Sequence, residues 1–141
     1  MKKYVVIDTN VLVSALITRK ESSPTVQILK FLASGNIIPV YSDEIVKEYD
    51  EVLRRKKFKL PEIIIISLLK DIIDNGLCIS ELSKVEETMP DPKDIIFYAV
   101  TLSAQQDKDA FLVTGNGKHF PQKPFIVTPA ELVRIIIEDI T

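Results

Sequence analysis

The acidic residues that could carry chemistry occur at three separate places in the chain. Asp8 follows the apolar run YVVI, Glu48 lies in SDEIVKEYDEVL, and Asp94 lies in PDPKDIIFYAV. Carboxylate oxygens are the ligands that Mg²⁺ and Mn²⁺ prefer, whereas zinc favours cysteine and histidine. The chain has one cysteine and one histidine, so a convergence of these carboxylates favours Mg²⁺ or Mn²⁺ over zinc.

Each carboxylate also has a purely structural interpretation. Asp8 could cap the helix that follows it, because aspartate is a preferred N-cap residue. Glu48 and Asp50 lie on opposite edges of one apolar helix stripe, so helical periodicity does not choose between them. Asp94 sits in a first helical turn, where a negative charge interacts favourably with the helix dipole, and Asp91 is the expected cap of that helix. The residues alone leave these alternatives open.

Alternating strands and helices must position these side chains. Short apolar runs predict strands at 4–7, 37–40, 77–80, 110–113 and 125–127. Helical spacing and caps predict helices at 10–17, from Pro24 to near Gly35, from the Ser42 cap into 54–57, at 61–75, from Pro92 to Ala104, and from Pro129 to Ile137. The pattern predicts an α/β fold, a three-layer α/β/α sandwich with a central, mainly parallel sheet of about five short strands. Functional residues of such sheets follow the carboxyl ends of the strands, as Asp8 does.

The composition limits the classes of protein to which the chain could belong. The chain has 141 residues, 46% hydrophobic and 27% charged, which is typical of one globular domain, predicted here to span residues 1–141. A formal net charge of −2 means that nucleic acid would need a local basic patch. The lone Cys78 excludes an internal disulfide, is expected to be buried, and favours the cytoplasm. The apolar run 63–73 is interrupted by charges and is short, so no membrane contact is expected.

Four segments together resemble the PIN-domain nucleases. VVIDTNVLVSAL, SDEIVKEYDEVL, DPKDIIFYAV and FLVTGNGKHF occur in the order, and at roughly the intervals, of that family, over essentially the whole chain. The chain looks most like the bacterial and archaeal branch that contains toxins of toxin-antitoxin pairs. The resemblance implies an endoribonuclease that hydrolyses RNA phosphodiester bonds with Mg²⁺ or Mn²⁺. It also implies two protein partners, an antitoxin and a second copy of the chain.

The resemblance assigns the acidic positions residue by residue. Asp8 matches the first, Glu48 the second, in preference to Asp50, and Asp94 the third. The fourth position follows a strand in a Thr-x-Asp pattern, which here reads Thr114, Gly115, Asn116. The amide of Asn116 lacks the charge of a carboxylate, so weaker metal binding, through a water, is expected.

Several other residues are expected to support this site. Thr9 and Asn10 place a hydroxyl and an amide beside Asp8, Thr114 lies at a neighbouring strand end, and Asp91 could supply a substitute charge. The neutral Asn116 also motivates an alternative function, a catalytically weakened PIN-like protein that binds RNA or another partner. A phosphate-binding loop at GNGK is a weaker alternative, because that segment lacks the spacing of a P-loop.

The basic segment RRKKFK is the candidate RNA-binding patch. Arg54, Arg55, Lys56 and Lys57 could follow a phosphate backbone while Phe58 stacks on a base. The structural alternative is a helix end at which cations interact favourably with the helix dipole. The same hypothesis includes Lys20, Lys118 and His119, which could add positive charge at the rim of the predicted metal site.

Overall fold

Five parallel strands form the centre of the molecule. The computed structural model describes residues 2–140, so the ends of the predicted domain, Met1 and Thr141, lie outside the described residues. The strands are β1 (Lys3–Ile7), β2 (Ile37–Tyr41), β3 (Leu77–Cys78), β4 (Ala110–Val113) and β5 (Ile126–Val127). They lie in the order β3-β2-β1-β4-β5, and every neighbouring pair is parallel.

Helices cover both faces of this sheet. Within residues 2–140 the α-helices are α1 (Thr9–Ile17), α2 (Pro24–Ser34), α3 (Asp43–Leu53), α4 (Glu62–Asn75), α5 (Ile95–Gln105) and α6 (Pro129–Ile140). Successive residues of a strand point to opposite faces, and Val5, Val6 and Ile7 of β1 are all buried. Both faces of the central strand are therefore covered, which confirms the predicted α/β sandwich. None of the helices in the described part of the chain has the length and apolar character needed to cross a bilayer.

Several boundaries differ from the predicted ones. The helix predicted from Pro92 begins at Ile95, after a 3₁₀ turn at Pro92–Asp94, and α6 continues to Ile140. α3 ends at Leu53, and Lys56–Phe58 forms a separate 3₁₀ turn, so the prediction that the helix continues into 54–57 is wrong. β3 contains two residues instead of the four predicted at 77–80. Cys78 in this strand is exposed, contrary to the expectation of burial. β3 is the edge strand next to β2, so one of its sides has no neighbouring strand to cover it.

The register of the two central strands brings two polar residues together. β1 pairs with β4 so that Ile7 lies beside Val113. Asp8 and Thr114 are the residues that directly follow these two strands, so both lie at the carboxyl edge of the sheet. Tyr49 of α3 is buried against this edge, and its hydroxyl donates a hydrogen bond to the carbonyl of Ile7. Pairing with β4 and the hydrogen bond from Tyr49 thus both hold the end of β1, directly before Asp8.

Candidate active site

Asp8 is a buried carboxylate held by two side-chain donors. Its side chain is nearly inaccessible, and the Thr114 hydroxyl donates a hydrogen bond of 2.7 Å to Oδ2. The Asn10 amide donates a second bond of 2.7 Å to the same oxygen. Asp8 occupies the N-cap position of α1, yet its side chain makes no capping hydrogen bond. The two side chains therefore orient a carboxylate that does not act as a helix cap.

The loop after β4 is tied to the same pair of residues. The Asn10 side-chain oxygen accepts a hydrogen bond of 3.1 Å from the backbone N–H of Gly115. The Thr114 hydroxyl accepts one of 3.0 Å from the backbone N–H of Asn116. Each side chain thus donates to Asp8 and accepts from the loop, which couples the carboxylate to the segment that follows β4.

The three predicted acidic residues line one cleft, which we call the acidic cleft. The cleft has a volume of about 230 Å³ and is lined by Asp8, Thr9, Glu48, Val52, Arg55, Asp91, Lys93, Asp94 and Phe97. Its floor comes from the carboxyl end of β1, and its walls come from α3 and from the start of α5. Four carboxylates and two cations therefore share a small polar space at the position that the fold class favours for a site.

Glu48 and Asp50 are separated by their surroundings. Glu48 is half-buried and lines the cleft. Asp50 instead accepts a hydrogen bond of 2.7 Å from the Arg54 guanidinium one helical turn further along α3. The two carboxylates, which helical periodicity left equivalent, thus have different partners, and only Glu48 faces Asp8 and Asp94 across the cleft.

Asp94 is the carboxylate whose protonation is most perturbed. Burial raises its pKa to about 6, and the negative charges of Asp8 and Asp91 add to the effect. The His119 imidazole acts in the opposite direction, with Nδ1 at 3.5 Å from Asp94 Oδ2. Burial likewise raises the pKa of Asp8, while hydrogen bonds from Thr114 and Asn10 oppose that shift. Negative charge is therefore concentrated here without an equal amount of nearby positive charge.

These acidic residues all lie inside a region that a known protein family shares. The family model of the PIN domain matches residues 4–118. The chain belongs to the PIN-domain family. PIN domains are generally nucleases, that is, hydrolases, and they typically use divalent metals. No curated protein matches the chain significantly.

The donor set of this PIN domain fits a hard divalent cation. Among residues 2–140, no group of three or more His, Cys, Asp or Glu side chains is arranged closely enough to form a ready metal site. Mg²⁺ needs only one or two protein carboxylates, however, because it retains several waters. Asp94 Oδ2 is buried and makes no hydrogen bond, because its polar neighbour His119 Nδ1 lies at 3.5 Å and is poorly placed to donate. Both side-chain donors to Asp8 use Oδ2 and leave Oδ1 to other contacts. A cation would supply the missing partner and reduce the repulsion between the two carboxylates.

The fourth position of the PIN pattern is not brought into the cleft. Asn116 is exposed, and its side chain does not line the space between Asp8 and Asp94. Its backbone N–H reaches Thr114, so the residue contacts the site through the main chain.

Two of the expected supporting residues, unlike Asn116, do line the cleft. Thr9 lines the cleft with a buried hydroxyl that lacks a hydrogen-bond partner, and Asp91 lines it while capping the Pro92–Asp94 turn through a 3.0 Å bond from Lys93 N.

The predicted basic patch divides into residues with different surroundings. Arg54 is paired with Asp50 at 2.7 Å and with Glu62 at 2.6 Å, whereas Arg55 lines the cleft and lies 3.8 Å from Glu51. Lys56 is exposed. Phe58 packs against the hydrophobic core and the Lys57 ammonium lies 5.1 Å from the centre of its ring, so the ring is less available to a base than predicted.

Two residues of the site were absent from the sequence prediction. Lys93 lines the cleft directly before Asp94, and Tyr49 fixes the end of β1 through Ile7. Each is adjacent in sequence to a predicted acidic residue, and this adjacency could have identified both from the sequence. Two predicted RNA-binding residues lie close to the site or near it in sequence: His119 lies beside Asp94, and Lys118 next to it is exposed.

Proposed function

We propose that this PIN domain is an endoribonuclease that hydrolyses RNA phosphodiester bonds with Mg²⁺ or Mn²⁺. The observation that carries the proposal is the meeting of Asp8, Glu48 and Asp94 in one cleft at the carboxyl edge of the sheet. Asp8 and Asp94 would bind the cation directly, and Glu48 would bind it directly or through a water. The bound cation would lower the pKa of a water and stabilise charge that develops on the phosphate.

The chain's own cations and donors prepare the cleft for RNA. Arg55 and Lys93 line it beside the carboxylates, so they can contact the phosphates on either side of the scissile bond and offset the acidic character of the cleft. Thr114 and Asn10 hold Asp8 in one orientation, which reduces the reorganisation that catalysis requires. No side chain needs to act as a nucleophile, because water is the attacking group in hydrolysis.

Metal titration combined with RNA cleavage tests the proposal. The native protein should bind Mn²⁺ in isothermal titration calorimetry and cleave single-stranded RNA, and chelation should stop the cleavage. Asp8→Asn should abolish both properties, whereas Asp50→Asn, which alters a carboxylate outside the cleft, should retain them. Equal cleavage by the native protein and Asp8→Asn would place the activity elsewhere. RNA binding without metal-dependent cleavage would support the weakened, RNA-binding alternative.

We also propose that the protein acts as the cytoplasmic toxin of a toxin-antitoxin pair. The support is the resemblance of its motifs to the branch of PIN domains that contains such toxins. Expression of the native chain should arrest growth, and co-expression of a small protein encoded beside it should restore growth. Growth arrest that persists in Asp8→Asn would contradict the link between toxicity and the cleft.

A homodimer formed through α4 is the corresponding proposal for self-association. α4 buries Ile65, Leu68 and Ile72 but leaves four isoleucines substantially exposed, among them Ile63 at 68% and Ile66 at 47%. An apolar strip of this kind is typical of a contact surface. Sedimentation should give a dimer for the native chain and a monomer for Ile63→Lys combined with Ile66→Lys. A native monomer at all concentrations would contradict the proposal.

A further inference from the structure

A second cleft opens beside the candidate active site. We call it the β5 cleft, because it lies around the carboxyl end of β5 and the start of α6. It has a volume of about 480 Å³, and the residues that define it include Thr114, Pro121, Gln122, Ile126, Thr128 and Glu131. This volume lies within the range of sites that bind small organic groups.

The β5 cleft adjoins the acidic cleft through one residue. Thr114 lines the β5 cleft and donates its hydroxyl hydrogen to Asp8, which lines the acidic cleft. β4 lies between β1 and β5 in the sheet, so the two clefts open at the same edge, roughly 10 Å apart at two strand spacings. A nucleotide next to a phosphate at Asp8 can therefore reach the β5 cleft.

The walls of the β5 cleft suit a flat group with a polar edge. Pro121, Ile126 and Val127 contribute apolar surface, and Gln122, Lys123 and Glu131 contribute polar groups. The Lys123 ammonium lies 3.6 Å from the Glu87 carboxylate, which pairs its charge outside the lining of the cleft. A nucleobase has two apolar faces and an edge of hydrogen-bonding atoms, and single-stranded RNA presents its bases unstacked. A continuous duplex, with its bases stacked inside, would not offer a base to this cleft.

Glu131 gives the cleft a selective chemical character. Its carboxylate accepts a hydrogen bond of 2.9 Å from Thr128 N, and its own N–H donates one of 3.1 Å to the Thr128 hydroxyl, which together form a capping box for α6. The bonds from Thr128 hold the pKa of Glu131 below its ordinary value. An ionised carboxylate only accepts hydrogen bonds. It therefore pairs with an exocyclic amino group and repels a carbonyl oxygen.

We propose that the β5 cleft is a base subsite that selects an unstacked nucleotide near the scissile phosphate. Adenine, cytosine and guanine carry an exocyclic amino group from which Glu131 can accept a hydrogen bond. Uracil has none, and its one base-edge donor, N3–H, lies between two carbonyl oxygens that the carboxylate repels. The subsite favours the three amino-bearing bases over uracil. This inference rests on the proposed endoribonuclease, because it assumes that RNA occupies the acidic cleft.

Binding of short homopolymers tests the base preference without requiring cleavage. Fluorescence anisotropy would measure the affinity of labelled oligo(A), oligo(C) and oligo(U) for Asp94→Asn protein, which keeps the β5 cleft but lacks one proposed metal ligand. We expect oligo(A) and oligo(C) to bind about tenfold more tightly than oligo(U), the effect of one hydrogen bond to a charged group. Adding Glu131→Gln should bring the three affinities together, since glutamine also fits a capping box and α6 remains capped.

The control replaces a carboxylate in a different cleft. Glu81 lies with Ser103 and Gln106, away from the β5 cleft, so Glu81→Gln should preserve the preference for oligo(A) and oligo(C). Equal affinities for the three homopolymers before Glu131 is changed, or unchanged ratios after Glu131→Gln, would overturn the base subsite.

A parallel cleavage assay separates this inference from the proposed function. Mn²⁺-dependent cleavage of mixed-sequence RNA by the native protein, lost in Asp8→Asn, together with equal homopolymer affinities would overturn the base subsite alone. An absence of metal-dependent cleavage from the native protein would overturn the endoribonuclease. Cleavage by native protein that is slower at uracil-rich sites, with the difference removed by Glu131→Gln, is the result that supports both.

Discussion

The Thr114 hydroxyl donates a 2.7 Å hydrogen bond to Asp8 Oδ2 across the boundary between two neighbouring strands. Both residues are buried, so this bond has little competition from water. Asp8 is fixed by a residue that is remote in sequence but adjacent in the sheet. The Thr-x-Asp pattern of the family therefore places a threonine in this chain where it orients the first carboxylate.

Thr114→Val should weaken Mn²⁺ binding and RNA cleavage by about tenfold, because a hydrogen bond to a charged group contributes on the order of 1.5 kcal/mol. Valine has nearly the shape of threonine but cannot donate to Asp8. Thr114→Ser keeps the hydroxyl and should stay close to the native protein. Calorimetry and initial cleavage rates give the comparison. A valine variant with native metal affinity would show that this bond does not orient Asp8 for the metal.

Glu48→Gln and Asp50→Asn form a matched pair on one helix. Loss of the Glu48 charge should weaken Mn²⁺ binding by about tenfold, because the cleft then holds one carboxylate fewer for the cation or its waters. Asp50→Asn removes a partly exposed ion pair with Arg54, which should change unfolding by less than about 1 kcal/mol and leave metal binding unaltered. Calorimetry on both variants distinguishes them. Similar losses of Mn²⁺ affinity in the two variants would mean that removing any negative charge from α3 weakens binding, whether or not that charge lines the cleft.

The sequence predicts where the strands end, but it does not predict which side chains contact each other. The buried run before Asp8 predicts β1, and the apolar run before Thr114 predicts β4, because consecutive β-branched and apolar residues are typical of covered parallel strands. That these two strands are neighbours is a result of the sheet topology, which the parallel fold class alone does not determine. The exact partner of Asp50, in contrast, depends on where the Arg54 side chain lies, and helical periodicity contains no such information.

The short elements were the least predictable part of the fold. β3 forms two residues because it pairs with β2 alone at the edge of the sheet, and local composition does not reveal which strand will be at an edge. The Gly117–His119 turn brings His119 Nδ1 to 3.5 Å from Asp94 Oδ2, a contact between segments that are distant in sequence. Contacts of this kind require the tertiary structure.

The metal-free protein should become less stable as pH rises through the titration of Asp94. Its pKa is about 6 in the folded protein against an ordinary value of 3.8, so between these values the folded state binds more protons than the unfolded state. The free energy of unfolding should fall by about 1 kcal/mol over that window, a value reduced for partial exposure to solvent. Urea unfolding in the presence of chelator measures the change.

Asp94→Asn is the control for that pH dependence. Asparagine does not titrate, so its unfolding free energy should lose this part of the slope, and the variant should be the more stable protein at neutral pH without metal. Saturating Mn²⁺ should stabilise the native protein and not the variant, because binding to the folded state alone adds stability. A slope that is the same in both proteins would assign the pH dependence to other groups.

Asn116→Asp should change metal affinity only slightly, although it restores the family's fourth acidic residue. The side chain is exposed and outside the acidic cleft, so an added charge would act mainly through water. Such screened interactions are worth on the order of 1 kcal/mol, which limits the gain in Mn²⁺ affinity to about fivefold. Calorimetry compares the two proteins. A gain much larger than this would indicate that the loop moves Asn116 toward the cation when metal binds.

Arg55 should account for part of the salt dependence of RNA binding. It lines the acidic cleft at the end of α3, and a cation that contacts one phosphate of a single strand contributes about 0.7 to the slope of log affinity against log salt concentration. Arg55→Gln should reduce the slope by about that amount and weaken binding similarly for all RNA sequences. Lys70→Gln is the matched control, because Lys70 pairs with Asp74 on α4 and does not line the cleft. Titrations of RNA at several salt concentrations give both slopes. Equal slopes for Arg55→Gln and the native protein would show that Arg55 does not contact RNA. Lys93 would then be the remaining lysine or arginine that lines the cleft among the described residues and could bind a phosphate.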